Sequence, residues 1–420
     1  MTRRLRDDCF ALPQGVSWTP VDQAQELLRE RLTCVTGAET VPVTEAAGRI
    51  LAAPVSALRA NPPAANAAVD GYAFAWASLR GADAGDLPLE PGRAAAGHPF
   101  TRPLPPGHAL RILTGAEIPR GADTVVLQED AMVGVGRVRF TPPRKQGANC
   151  RGLGEDAKIG DIVLEPGTLL GPGAIARLVS VAVAQVEVRP KLKVAILSTG
   201  DELLQPGAPA DAPGIFDANR PMLQAMVNGF GHQVVDLGAQ PDVAGNIRAA
   251  LNRGAAEAQA ILATGGASTG DEDHVSRLLR EEGQITSWRI AMKPGRPLAL
   301  GMWQGVPVFG LPGNPVAAFV TALIFAQPAL ATLAGRAWRA PDSFMVPAAF
   351  AKSKKAGRRE YLRARLDPDG RAEIFHSEGS GLIGGLAWAD GLVELPDEAM
   401  EVSPGDLVRY LPLSSFGISA

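Results

Sequence analysis

Between Lys191 and about Gly335 the chain alternates short apolar runs with helix-like stretches, and this alternation narrows the fold more than any other feature. "KVAILST", "HQVVDLG" and "QAILATGG" read as strands, with "NRPMLQAMVNGFG", "VAGNIRAALNRGAAEA" and "EDHVSRLLREEG" as helices between them. "TSWRIAM", "PLALGMW" and "VPVFGLP" read as further strands, and an apolar helix after Asn314 closes the unit. Strands that are apolar throughout are buried on both faces, which calls for a parallel sheet covered by helices. Ligands of such sheets bind outside the carboxyl ends of the strands. The closing segment, "PVAAFVTALIFAQPALATLAG", has the length of a membrane span, but Thr321, Gln327 and Pro328 interrupt it. It reads as a helix buried on the sheet, and no membrane partner is expected.

Three of the strands end in comparable chemistry: "VAILSTGDEL" (194–203), "AILATGGASTGDEDH" (260–274) and "VFGLPGNPVAAF" (308–319). In each, an apolar strand gives way to small residues and then to a polar loop or a helix start. Glycine lets a ligand approach the backbone, and helix amino termini present N–H groups to anions. Asn314 before Pro315 is a good capping pair, because proline at the first helical position has no donor to leave unpaired. One such loop is ordinary turn geometry; three on one edge of a sheet point to a binding site. Asp201, Glu202, Asp242 and Asp273 fall near the same edge. Acids beside anion-binding amides repel a phosphate unless a cation bridges them, and Mg²⁺, which takes one or two carboxylates plus phosphate oxygens, is the expected cation. Beyond them lies the basic cluster "SWRIAMKPGRP", in which a continuous strand would turn Arg289, Ala291 and Lys293 to one face, with Arg296 following.

Outside this unit the texture is β-rich. Pro62 to Gly147 shows short strands such as "HALRILTG" and "DTVVLQED" between Pro/Gly turns, and "RREYLRARLDPDGRAEIFH" reads as a hairpin with its turn at Asp367 to Gly370. Near the start, "TPVDQAQELLRERL" is an amphipathic helix that Thr19 or Asp22 can cap. A chain of 420 residues is too long for one ordinary core. Forty-one basic against 44 acidic residues, with no basic block, gives no sign of a nucleic-acid partner. Neither GxxxxGK[ST] nor GxGxxG follows a strand, which sets aside P-loop and Rossmann dinucleotide readings. The scattered histidines and cysteines lack zinc spacing. Cys9, Cys34 and Cys150 are odd in number and far apart, which argues for a reducing compartment, and "MTRRLRDDCFALP" lacks the apolar core of a signal peptide. A cytoplasmic location is expected.

Taken together, "STGDEL", "GGASTGDED", "KPGRP" and "LPGNPVAA" resemble the molybdopterin-binding domain of the molybdopterin molybdenumtransferase family, which includes the C-terminal part of gephyrin. "NAAVDGYA", "RILTGAEIPRGADTVVLQED", "GANCRGLGEDA", "GRREYLRARL" and "SEGSGLI" extend the resemblance over most of the chain. It implies a multidomain α/β protein: a linker domain in two segments (1–62 and 147–187), an inserted β-rich domain (63–146), a three-layer α/β molybdopterin-binding domain (188–337) and a C-terminal β-barrel-like domain (338–420). It further implies a homodimer, with the site between the α/β domain of one subunit and the inserted domain of the other. The implied reaction is insertion of molybdate into adenylyl-molybdopterin with Mg²⁺ and release of AMP. A molybdopterin adenylyltransferase, and molybdoenzyme apoproteins or their chaperones, are the implied partners.

Carried over by motif, Asp70 and Thr114 come from the inserted domain, and Glu202, Asp242, Asp273 and Lys293 complete the reacting groups. Asp201, Glu202, Asp242 and Asp273 are the candidate metal ligands. Thr199, Gly200, Gly265, Gly266, Ser268, Arg296, Pro312, Gly313, Asn314, Pro315, Arg359 and Ser380 are expected to hold the pterin nucleotide. Val69, Ala157 and Arg289 depart from the family's usual Met, Ile and Lys; at 289 Arg keeps the charge of Lys but changes the donor geometry. Two other readings use the same residues: adenylylation of molybdopterin, which would consume ATP, and a non-catalytic pterin-binding scaffold. Adenylylating relatives are little more than the α/β domain, whereas this chain adds "DGYA", "TGAEIP" and a C-terminal domain.

Overall fold

The computed structural model describes residues 18–79, 84–265, 274–295, 297–379 and 381–418. In the α/β domain, β1 (Lys193–Thr199), β2 (Gln233–Gln240), β3 (Ala260–Thr264), β4 (Gln284–Arg289), β5 (Pro297–Trp303) and β6 (Val306–Leu311) form one sheet. Their order is β2-β1-β3-β6-β5-β4; β2, β1, β3 and β6 are parallel, and β5 runs against both its neighbours. The helices are α1 (Asn219–Gly229), α2 (Ala244–Glu257), α3 (His274–Glu281) and α4 (Pro315–Leu333).

Alternate residues of the central strands feed two separate cores. Val194, Ile196, Leu262, Phe309 and Leu311 pack under α1 and α4, while Ala195, Leu197, Ile261, Ala263 and Val308 pack under α2 and α3. This is the doubly covered sheet that the apolar strands require. Because α1 and α3 lie on opposite faces, the chain leaving β1 and the chain leaving β3 part company. In sheets of this kind such divergence leaves a crevice at the carboxyl ends, the topological switch point where ligands bind.

Helix α4 is buried over 89% of its apolar length, as expected of a core helix. It widens into a π turn at Ala322–Ala326 just before Pro328. Proline has no N–H, so the Ile324 carbonyl loses its usual helical donor. The amide of Gln25 supplies one at 3.0 Å. Gln25 belongs to the helix Val21–Arg31, which buries Val21, Ala24 and Leu28 in the same core as α4. That helix has Pro20 at its N-cap and no side-chain cap, so neither Thr19 nor Asp22 acts as expected. Thr19 instead bridges to Ile290, and Asp22 pairs with Arg359.

Three β-rich units surround this domain. Glu39–Pro42, Gln185–Arg189 and Ile50–Leu51 form a sheet that joins segments from before and after the inserted region. Within the insertion, strands between Gly71 and Phe140 make a six-stranded sheet with a small core on each face. The C-terminal sheet is built on Arg359–Leu366, Gly391–Leu395 and Leu407–Pro412. Its hairpin turns at Asp367, whose backbone carbonyl accepts from the Gly370 N–H at 2.9 Å.

Candidate functional site

The switch point is where the glycine-bearing strand ends meet. Gly265, after β3, has φ +80, and a Cβ there would stand 2.4 Å from the Thr199 carbonyl oxygen at the end of β1. Only glycine fits, on both counts. A Cβ on Gly313, after β6, would in turn lie 3.9 Å from the Gly265 Cα, so the loops of β3 and β6 run side by side. Asn219, the first residue of α1, ties them together: its Nδ2 donates to Thr264 Oγ1 at 2.7 Å and to the Gly313 carbonyl at 2.6 Å. Its Oδ1 is buried without a partner among the described residues, a free acceptor beside the crevice. Sequence reading missed Asn219, because nothing local marks an asparagine whose partners are 45 and 94 residues away.

At the third strand end, Asn314 Oδ1 accepts from the N–H groups of Val316 and Ala317 at 3.1 and 3.2 Å, with Pro312 ahead of it and Pro315 at the first helical position. Those two donors of α4 are thereby taken up within the protein, and Asn314 serves as the expected cap.

Carboxylates gather on the rim of the crevice. Asp201 Oδ1 accepts from the Asp242 N–H at 2.9 Å, and Glu202 reaches back so that a Cβ on Gly200 would touch its carboxylate at 2.5 Å. Burial pushes the Asp242 carboxyl up from its ordinary value; a hydrogen bond from the Asp201 backbone N–H works against this, and the negative charges of Asp201 and Glu202 add to it. None of the three forms an ion pair with lysine or arginine among the described residues. No group of three or more His, Cys, Asp or Glu among the described residues is arranged to hold a metal ion by itself. Gly266, Ser268, Asp273, Arg296 and Ser380 lie outside the described residues.

The remaining candidates sit elsewhere. In the inserted domain Asp70 Oδ1 accepts from both the N–H and the hydroxyl of Thr114, each at 2.7 Å. These two bonds, the hydroxyl first, lower its pKa from the ordinary value. Among the described residues no hydrogen bond or ion pair links Asp70 or Thr114 to the crevice. The continuous basic strand is a correction: β4 stops at Arg289, and Met292–Lys293 forms a separate two-residue strand paired with Arg359–Glu360 of the C-terminal sheet. Lys293 therefore does not share a strand face with Arg289. Its Nζ meets Glu378 at 2.6 Å and Glu360 at 3.6 Å. Arg359 spends its fork on Asp22, at 2.6 and 2.8 Å, and on Asp397 at 3.0 Å, where it fastens the C-terminal domain to the first helix.

Comparison with known proteins is consistent along the chain. Residues 19–182 match the MoeA N-terminal region (domain I and II), 195–332 a probable molybdopterin binding domain, and 345–413 the MoeA C-terminal region (domain IV). A molybdopterin molybdenumtransferase of Haemophilus influenzae is 35% identical over 401 residues, which cover 94% of this chain and 98% of the relative. A molybdopterin molybdenumtransferase 2 of Mycobacterium tuberculosis is 32% identical over 393 residues, 89% of this chain and 95% of the relative. The crystal structure of a molybdopterin biosynthesis MoeA protein from Pyrococcus horikoshii superimposes with a TM-score of 0.81 at 27% identity, covering 94% of this chain and all of that one.

Proposed function

The chain belongs to the molybdopterin molybdenumtransferase family, and from that premise we propose that it inserts molybdate into adenylyl-molybdopterin and releases AMP. The observation that carries the reading is the crevice: three strand ends, two of them joined by Asn219 and the third packed against Gly265, bordered by carboxylates that have no lysine or arginine partner among the described residues. Gly313, whose Cβ position has only the Gly265 Cα near it, leaves the backbone open to a phosphate-bearing ligand, and the buried Oδ1 of Asn219 can accept from a pterin N–H.

A divalent cation fits this rim. All its donors are carboxylate oxygens, suited to Mg²⁺, and among the described residues no lysine or arginine pairs with Asp201, Glu202 or Asp242. Asp201, Glu202 and Asp242, with Asp273, would hold the ion jointly with a ligand phosphate; bound there, it would polarise the anhydride. The chain's own part is positioning. Asp201 fixes the Asp242 backbone, the glycines at 265 and 313 let the two loops run side by side, and Lys293, with Arg296 by the family resemblance, would offer positive charge to the oxyanion. Such fixed charges stabilise a transition state without proton transfer. In a homodimer, Asp70 and Thr114 of the other subunit would close the crevice; their mutual bonds keep the Asp70 carboxylate ionised and aimed. An adenylyltransferase upstream and molybdoenzyme apoproteins or their chaperones downstream are the partners this chemistry calls for.

Purified protein given adenylyl-molybdopterin should release AMP only when both molybdate and Mg²⁺ are present, and without consuming ATP. Release that depends on ATP would favour adenylylation, and tight pterin binding without AMP release would favour a carrier role.

A further inference from the structure

Lys293 is one corner of a four-charge cluster between the α/β and C-terminal domains. Lys352 Nζ lies 3.2 Å from Glu360 Oε2 and also pairs with Glu378, while Lys293 Nζ lies 2.6 Å from Glu378 Oε2 and 3.6 Å from Glu360 Oε1. Two ammonium groups thus face two carboxylates, and the cluster is neutral as it stands.

The two carboxylates are not equivalent. Glu360 sits on the strand Arg359–Leu366 with its side chain 11% exposed, and Lys352 is 9% exposed. Glu378 reaches in from an irregular loop with its side chain 41% exposed. The loop itself is firmly held: the buried guanidinium of Arg363 donates to the carbonyls of Ser377 at 2.6 Å, Gly379 at 3.2 Å and Leu382 at 2.6 Å. Glu378 lies between two pinned carbonyls, so its side chain can turn outward while the backbone stays in place. Burial pushes its carboxyl up and the bonds from Lys293 and Lys352 outweigh this, so the side chain is held as an anion.

We propose that Lys352 joins Lys293 as a cation of the oxyanion subsite, and that the Glu378 carboxylate is the exchangeable counter-anion that the incoming molybdate displaces. The proposal rests on the molybdate-transfer reading above and adds to it a second lysine and an internal competitor. Glu360, buried and fixed, stays as the permanent counterion. With Glu378 in place the subsite is neutral; with it turned out, two lysines against one glutamate leave a net positive charge for the oxyanion. Exchange of this kind lowers the affinity for weak or monovalent anions, because each must first compete with a tethered carboxylate. Glu378 would thus set selectivity for a tetrahedral dianion that engages both lysines at once.

The test is calorimetric titration of the full-length protein with sodium molybdate, without pterin, and sulfate as the control oxyanion. E378Q should bind molybdate about three- to tenfold more tightly, the range set by losing one partly exposed ion-pair competitor. It should gain affinity for sulfate, also a tetrahedral dianion, by a similar factor. K352M should bind at least about tenfold more weakly, K352R should recover most of the loss, and the E378Q gain should vanish in a K352M background. In turnover, E378Q should lower the KM for molybdate and leave the KM for adenylyl-molybdopterin where it was, a split that a merely structural role would not give. E378A, read the same way, guards against an effect peculiar to the amide, and E378Q alone decides the counter-anion if K352M fails to fold. If wild-type AMP release depends on molybdate but E378Q binds molybdate no more tightly, the counter-anion assignment is overturned and the transfer reading stands. If wild-type protein shows no molybdate-dependent AMP release, the reading falls and this inference falls with it.

Discussion

Two groups of acids flank the loop that leaves β1, and they are treated in opposite ways. Below the strand ends Asp217 and Asp236 share one guanidinium: Arg220 Nε lies 3.2 Å from Asp217 and Nη1 2.7 Å from Asp236, with Gln205 taking the remaining arm. Asp217 also accepts from the Arg220 N–H at 3.1 Å, which starts α1. On the rim Asp201, Glu202 and Asp242 have one another and the Asp242 N–H, but no lysine or arginine among the described residues. Acids that serve the fold come with their cation built in. The rim acids are left short of positive charge, as expected where a ligand brings it.

The sharpest way to break this contrast is to remove the built-in cation. Arg220→Met leaves the buried Asp217 carboxylate unpaired, and such a loss costs about 3–5 kcal/mol. Urea unfolding measures it; a change under about 1 kcal/mol would mean that the pair does not support α1. Next come the glycines. Gly265→Ala must both adopt φ +80 and clear the Thr199 carbonyl, a strain of about 1–3 kcal/mol, and it should weaken pterin binding as well. Gly48→Ala, at φ +74 with open space around it, should lose only about 1 kcal/mol and leave pterin binding alone. Equal losses at the two positions would remove the case for a crowded crevice.

Smaller effects appear in the pH dependence of stability, and their signs differ. Burial pushes His232 down to about 4. The unfolded chain then binds the extra proton, so its contribution is complete above the unfolded value near 6.5 and is lost as pH falls toward 4. His232→Gln should flatten that acid limb of a thermal-unfolding profile. Asp242 has the opposite sign: its carboxyl is raised, so folding favours the protonated form and stability falls as pH rises through the carboxylate range. Asp242→Asn should therefore leave the protein at neutral pH as stable as before or slightly more so, whereas loss of a paired acid such as Asp217 should not.

How much of this was legible in the sequence follows from how local each signal is. Strands β1, β3 and β6, their glycine ends and the Asn314–Pro315 cap depend on neighbouring residues, and all could be read from the order of residues alone. The Asp367–Gly370 turn belongs with them. What escaped depends on tertiary meetings. Asn219 acts on partners far along the chain, Arg220 serves two acids on different elements, and Met292–Lys293 changes sheets within three residues of β4. Periodicity extended that strand to Lys293 because the apolar pattern continues while the hydrogen-bonding partner does not. Helix Val21–Arg31 was legible as a helix, but its cap was not: with Thr19 bridged to Ile290 and Asp22 drawn to Arg359, the two candidate side chains have other partners.

On the proposed function, the rim carboxylates would orient charge at the reacting anhydride rather than anchor the pterin. The most direct measurement is single-turnover AMP release by Asp242→Asn beside the Kd of the same variant for adenylyl-molybdopterin. Turnover reduced by about a hundredfold or more, with Kd within a few-fold of wild type, is the predicted result. Equal losses in turnover and affinity would contradict it, and would make Asp242 a binding residue.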